Sequence, residues 1–201
     1  MDFKGFDHPG RPAAGGTRSV KVMIAGGFGT GKTTMVRSVS DIKPLTTEET
    51  LTQASADVDH LIGVADKTET TVSLDFGKIS LNESLMLYLF GTPGQERFWF
   101  LWNGLFKGAL GAVVLVDTRR LASSFRAIEE MERQNVPFVI ALNVFPDSKN
   151  HPVDEIRDAL DISPYTPVVE CDARDRASSR DVLVALIQHL KDRSAVALEA
   201  R

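Results

Sequence analysis

The chain has 201 residues, 43% of them apolar and 25% charged, which is ordinary composition for one globular domain with a sizeable core. A formal net charge of −4 argues against a nucleic-acid-binding face, which would need a basic surface. Cys171 is the only cysteine, so an intramolecular disulfide and a cysteine metal cluster are excluded.

Residues 1–18 hold Pro9, Pro12 and four glycines with little to bury, and read as a flexible tail. The composition predicts one domain over residues 19–192 and a short polar tail over 193–201. Ser19 to Ala25 is an apolar run ending at glycines, the pattern of a buried strand. Lys32 to Ser40 suits a helix. Residues 41–69 are polar, acidic and weakly periodic, and read as a long functional loop. Thr71 to Ile79 and Leu85 to Phe90 read as strands joined through Asn82 and Glu83, with a glycine-rich turn at Gly91 to Gly94. Gln95 to Lys107 reads as a helix dense in aromatics. Ala112 to Val116 and Phe138 to Leu142 are continuous apolar runs, expected where a strand is covered on both faces. Leu121 to Gln134 is an amphipathic helix between them. Val153 to Leu160 and Ser179 to His189 read as helices around a last strand, Pro167 to Glu170. This alternation predicts an α/β fold: a central, mostly parallel six-stranded sheet with helices on both faces.

Gly26-Gly27-Phe28-Gly29-Thr30-Gly31-Lys32-Thr33 matches G-x-x-x-x-G-K-[ST] between a predicted strand and a predicted helix. Glycines let backbone N–H groups curl around phosphate oxygens, and a helix N-terminus adds positive potential. Gly26, Gly29, Thr30, Gly31 and Thr34 are therefore candidate nucleotide contacts. Lys32 supplies charge to the β- and γ-phosphates, and the Thr33 hydroxyl is a Mg²⁺ ligand.

Phe90-Gly91-Thr92-Pro93-Gly94-Gln95-Glu96-Arg97 follows a predicted strand. With this turn the chain resembles the Ras-like small GTPases, P-loop proteins whose third strand ends in Asp-x-x-Gly-Gln. The resemblance implies that Gly94 meets the γ-phosphate through its N–H and that Gln95 positions the attacking water. Gly91 stands in place of the aspartate, so support for Mg²⁺ must come from water, Thr92 or elsewhere. Thr70 and Thr71 resemble the first switch, where Thr71 is the better match for the threonine that closes onto Mg²⁺. Asn143-Val144-Phe145-Pro146-Asp147 resembles the guanine-reading Asn-Lys-x-Asp: Val144 replaces the lysine, and the acid comes one residue late at Asp147. Glu170-Cys171-Asp172-Ala173-Arg174 resembles the Glu-x-Ser-Ala-Lys loop, in which the Ala173 backbone would meet the base. The resemblance implies GTP or GDP with Mg²⁺ as ligands.

The wording FGTPGQERFWFLW and VVLVDTRR is similar to the bacterial GTPases of the actinobacterial conservon operons and their gliding-motility polarity relatives. That resemblance implies a Roadblock-type partner protein and a signalling role. A membrane-bound sensor complex would then be reached through partners. No apolar run of membrane-spanning length is present, so the expectation is a cytoplasmic chain without direct membrane insertion or nucleic acid.

Three features stay open at this level. Phe28 stands where Ras-like proteins usually have glycine, and its ring either crowds Gln95 or points outward. The seven aromatic and apolar residues from Phe98 to Phe106 cannot share one helical face, so Trp99 or Phe100 is expected to be partly exposed. No arginine lies between residues 38 and 96, and Arg97 is the nearest candidate to neutralise charge in the transition state. The competing readings are a GTP-hydrolysing switch, a scaffold that signals by occupancy alone, and a metabolic kinase; the last lacks a role for Thr-Pro-Gly-Gln.

Overall fold

The structure, a computed structural model, describes residues 17–52, 69–95, 98, 102–149 and 151–199. In chain order the elements are β1 (Arg18–Gly26), α1 (Lys32–Val39), β2 (Leu45–Thr52), β3 (Glu69–Asn82), β4 (Leu85–Gly91), α2 (Trp102–Leu105), β5 (Gly111–Val116), a 3-10 turn (Thr118–Arg120), α3 (Ala122–Arg133), β6 (Phe138–Asn143), α4 (Val153–Ala159), β7 (Val168–Cys171) and α5 (Arg176–Glu199). The strands form one sheet in the order β2-β3-β4-β1-β5-β6-β7. β4, β1, β5, β6 and β7 run parallel, while β3 is antiparallel to both β2 and β4.

The apolar runs explain the layering. β5 and β6 are buried along their whole length, because helices cover the sheet on both faces. On one face Val22, Ile24, Val113, Leu115 and Val139 pack against Met35 and Val36 of α1 and Leu183 and Leu186 of α5. On the other, Met23, Ala25, Val114 and Ile140 pack against Trp102, Ile128, Met131 and Ile156.

Six strands lie where the sequence puts them. Four expectations change. Residues 45–52, read as part of a loop, form β2, paired residue for residue with β3 from Leu45↔Phe76 to Thr52↔Glu69. The alternating Thr and Glu of that segment lacked an apolar stripe, so pairing with an edge, not burial, makes the strand. The helix expected to reach Lys107 ends at Leu105, and among the described residues of that segment Trp102–Leu105 are α-helical, while residues 96, 97 and 99–101 lie outside the described residues. The tail expected over 193–201 is helical to Glu199, as α5 runs on past Leu190, the last of its residues packed against the core. The expected N-terminal tail ends by Thr17, whose hydroxyl donates to the Glu83 carbonyl, and β1 opens at Arg18. Phe98, Trp102 and Phe106 are buried as core residues; Trp99 and Phe100 lie outside the described residues.

Trp102 ties this core to the turn after β4. Its indole Nε1 donates to the Pro93 carbonyl at 3.2 Å, and its ring meets Phe106 edge-on. Trp102→Ala is expected to cost about 3–5 kcal/mol of stability through the cavity it leaves. Trp102→Phe should cost about 1–3 kcal/mol, since it orphans a buried carbonyl. Urea unfolding measures both, and a Trp102→Phe variant as stable as the parent would refute the role of the hydrogen bond.

Candidate functional site

β1 ends and α1 begins across the loop 26–31, at the carboxyl ends of the parallel strands. Gly31 precedes α1 with φ 103°, a left-handed conformation that side chains disfavour, and a Cβ there would stand 2.5 Å from Asn143 Nδ2. No side chain caps α1 and no acid lies in its first turn, so the positive end of the helix faces the loop unneutralised. Thr30 is fully buried, and its hydroxyl donates to Gly27 O at 3.0 Å, curling the loop on itself.

The loop forms one wall of a cavity of about 370 Å³. Phe28, Gly29, Gly31, Lys32, Thr33 and Thr34 line it from this side, and Thr92, Pro93, Gly94 and Gln95 from the turn after β4. Gly94 lies close over the lysine: a Cβ on Gly94 would be 2.6 Å from Lys32 Nζ. The two turns read as phosphate-binding and water-positioning therefore face each other across one space. Phe28 is 65% exposed at the mouth and forms part of the cavity lining.

Lys32 is 8% exposed, and its ammonium donates to Gly26 O at 3.0 Å and Gly27 O at 2.6 Å. Burial pulls its pKa down from the ordinary lysine value to about 8, against the opposing pull of the Asp75 carboxylate. Asp75 is the residue that sequence reasoning missed. The Thr33 hydroxyl donates to its Oδ2, and it lines the same cavity. Asp75 sits on β3 directly opposite Gly91 on β4. A Cβ at residue 91 would be 3.1 Å from the Asp75 Cβ. The aspartate absent from position 91 is thus supplied by the neighbouring strand, and glycine makes the room. The signal was available: Asp75, Gly77 and Ile79 share the inward face of a period-two strand, where an acid needs a reason.

A hydroxyl beside a carboxylate is a hard-oxygen donor set that fits Mg²⁺. No group of three or more His, Cys, Asp or Glu able to hold a metal occurs among the described residues. That also fits Mg²⁺, which takes few protein ligands and completes its shell with water and phosphate. Thr71, expected to join it, lies on β3 paired with Thr50. It is four residues from Asp75, roughly 13 Å along the strand.

Asn143, at the end of β6, is buried and joins three loops. Its Nδ2 donates to Thr30 O at 2.9 Å, and its Oδ1 accepts from Ala173 N at 3.0 Å. The Ala173 amide expected at the base edge is therefore engaged by Asn143. Phe145 to Ser148 is a turn closed by Ser148 N–H to Phe145 O at 2.9 Å, with Pro146 and Asp147 at its tip. The Asp147 side chain is 85% exposed. Fully buried Asp117, after β5, binds both Arg119 and Arg120, whose guanidinium groups hold its carboxyl below the usual carboxylate range. Arg120 Nη2 also donates to Phe28 O at 3.3 Å. Arg97 lies outside the described residues.

The Lys32 pKa fixes a pH dependence. Bound phosphates favour the ammonium, so below about pH 8 the lysine is already charged and affinity for a nucleoside diphosphate is flat. As pH rises through 8, binding must draw in a proton, and affinity should fall by up to about tenfold per pH unit. Lys32→Arg should remove the slope, since arginine stays charged. Asp75→Ala should weaken Mg²⁺-dependent binding by about tenfold and leave Mg²⁺-free binding nearly unchanged. Titration calorimetry across pH and with EDTA measures both; loss of affinity from Asp75→Ala that is equal with and without Mg²⁺ would refute the metal role.

The fold is that of G domains. The G domain of the T. maritima FeoB iron transporter superposes with a TM-score of 0.59 at 17% identity, covering 86% of this chain and 99% of that one. The Methanococcus jannaschii FeoB G-domain gives 0.60 at 14%, covering 87% and 99%. An uncharacterized protein of Methanocaldococcus jannaschii is 26% identical over 126 residues, 62% of this chain and 69% of that protein. The Ras-related protein Rab-11C of Dictyostelium discoideum is 28% identical over 87 residues, 39% of each chain, so the match spans well under half of that relative. The family model described as conserved hypothetical ATP binding protein matches residues 24–193. The chain belongs to that family of conserved hypothetical ATP binding proteins.

Proposed function

We propose that the chain is a GTP-binding molecular switch that hydrolyses GTP slowly and cycles between GTP and GDP states in bacterial signalling. The observation that carries the reading is the facing of Lys32, Thr33 and Asp75 by Gly94 and Gln95 across one cavity. A phosphate-binding loop alone serves kinases and transporters as well. A glutamine opposite the lysine is what water activation at a γ-phosphate requires.

In this reading the loop N–H groups and Lys32 hold the β- and γ-phosphates. Thr33, with Asp75 behind it, holds Mg²⁺, which neutralises charge developing on the phosphates. Gln95 orients the attacking water, and the Gly94 N–H meets the γ-phosphate. Asn143 and Asp147 read guanine, the carboxylate accepting from N1 and N2 of the base. Thr71 closes onto Mg²⁺ when β2 and β3 shift with the nucleotide. The resemblance of the 90–102 segment to conservon-operon GTPases supports a Roadblock-type partner at the second switch and a cytoplasmic location, with any membrane association through partners. No described helix is long and apolar enough to cross a membrane.

The family description favours a second reading, ATP as the ligand. Competition of ATP and GTP against a fluorescent GDP decides between them. GTP is expected to win by tenfold or more, and equal competition would establish that Asp147 does not read the base. Lys32→Ala should lose about 1.5–3 kcal/mol of GTP binding, roughly tenfold or more. Single-turnover hydrolysis should run near 10⁻⁴ s⁻¹, the order of magnitude of unassisted Ras-like enzymes. Gln95→Leu should abolish partner-stimulated hydrolysis with GTP binding intact. Phe28 is largely exposed at the cavity mouth, so Phe28→Gly should leave the intrinsic rate within about threefold; a larger rise would mean that the ring crowds Gln95 in the GTP state.

A further inference from the structure

Arg119 occupies a position that the nucleotide contacts above do not explain. Its Nε and Nη2 form a bidentate pair with the carboxyl of Asp117, both at 2.9 Å, and its backbone N–H donates to the same group at 3.0 Å. Asp117 is fully buried, so the guanidinium is rooted in the core while its side chain is 31% exposed. The free edge lies against the loop after β6. The guanidinium carbon stands 4.0 Å from the centre of the Phe145 ring, and Nη1 is 3.8 Å from Asp147 Oδ2.

Asp147 needs such a neighbour. It sits at the tip of a turn with an 85% exposed side chain, and an exposed carboxylate loses rotamer freedom when it orders against a base. Val144 brings no cation where the Ras-like motif has lysine. Arg119 brings one from the turn after β5 and clamps the next residue, Phe145, by its face.

We propose that Arg119 is the positioning residue for base recognition: through Phe145 and Asp147 it presets the 143–147 loop to select guanine over adenine. This rests on the guanine reading of Asp147. One carboxylate oxygen faces Arg119, and the remaining acceptor sites are open to the N1 and N2 donors of the base. The same buried carboxylate also anchors Arg120 against Phe28 O, so the base loop and the phosphate loop share one root.

The test is titration calorimetry of the full chain with GDP, ADP and magnesium pyrophosphate, for the parent protein, Arg119→Ala and Phe145→Leu. Pyrophosphate probes the phosphate loop without the base. Arg119→Ala is expected to lower GDP affinity about tenfold and the GDP-to-ADP ratio by the same factor, with pyrophosphate affinity held within about twofold. Phe145→Leu keeps the Asp117–Arg119 pair and removes the ring. It should reproduce a smaller loss of the same kind, and so carries the test if Arg119→Ala fails to fold. Parallel loss of GDP and pyrophosphate affinity would show a merely structural role and overturn the proposal. A parent protein that selects GDP, with selectivity unchanged in both variants, would overturn the proposal alone. A parent protein that binds ADP as tightly as GDP would overturn the guanine reading, and the proposal with it.

Discussion

A buried ammonium is the constraint around which this site is arranged. Lys32 sits almost out of solvent, and a cation in that position is costly unless hydrogen bonds and a nearby negative charge compensate it. Two carbonyls of its own loop and the Asp75 carboxylate do so here. Each has a structural consequence. The carbonyls are available because Gly26 and Gly27 turn theirs toward the lysine, while those of Phe28 and Thr30 accept from Arg120 and Asn143. Asp75 is available because β3 lies beside β4 in the register that puts residue 75 opposite residue 91, and because residue 91 has no side chain. The compensation is incomplete, as the lowered pKa shows, so the site favours a further negative charge of the kind that the phosphates of a bound nucleotide would supply.

The topology places that imbalance where a ligand can reach it. β1 lies in mid-sheet, the chain leaves it through α1 to β2 and β3 on one side, and it returns through β4 to β5 on the other. Where crossovers diverge, the strand ends leave a crevice at the carboxyl edge of the sheet. The loop after β1 fills it, and residues from β4, β5, β6 and the β7–α5 connection border it. Asn143 and Asp117 fasten these borders, the first by bridging Thr30 to Ala173, the second by holding Arg119 and Arg120. Both are polar, buried and hydrogen-bonded through both side-chain polar atoms, the condition under which buried polar groups specify one arrangement.

What could be read from the sequence follows from which forces act locally. The buried strands β1, β5 and β6 are continuous apolar runs, and the phosphate loop is a contiguous motif, so both are visible in one dimension. β2 was not, because its Thr and Glu pattern has no apolar stripe and its order comes from pairing with β3. Of the helix expected after Gln95, the described part is Trp102 to Leu105; it ends short of Lys107 because Trp102 and Phe106 turn into the core. Asp75 and Arg119 escaped because each acts on a partner far along the chain, Thr33 at 42 residues' separation and Phe145 at 26. Sequence spacing carries no trace of a contact that sheet register or a loop crossing creates. In Asp75 the trace was burial pattern alone, an acid on the inward face of a strand.

Phe28 sits largely exposed at the mouth of the cavity, while its main-chain carbonyl accepts from Arg120. The loop backbone is thus tethered to the turn after β5, and through it to buried Asp117. Gln95 is exposed on the far wall, in a turn held to the core through Pro93 and Trp102. Aligning water with a γ-phosphate demands a narrow range of glutamine orientations. In the switch reading proposed above, the orientation of Gln95 sets the intrinsic rate, and a partner that orders this turn accelerates hydrolysis by restricting the glutamine, without inserting a group of its own into the cavity.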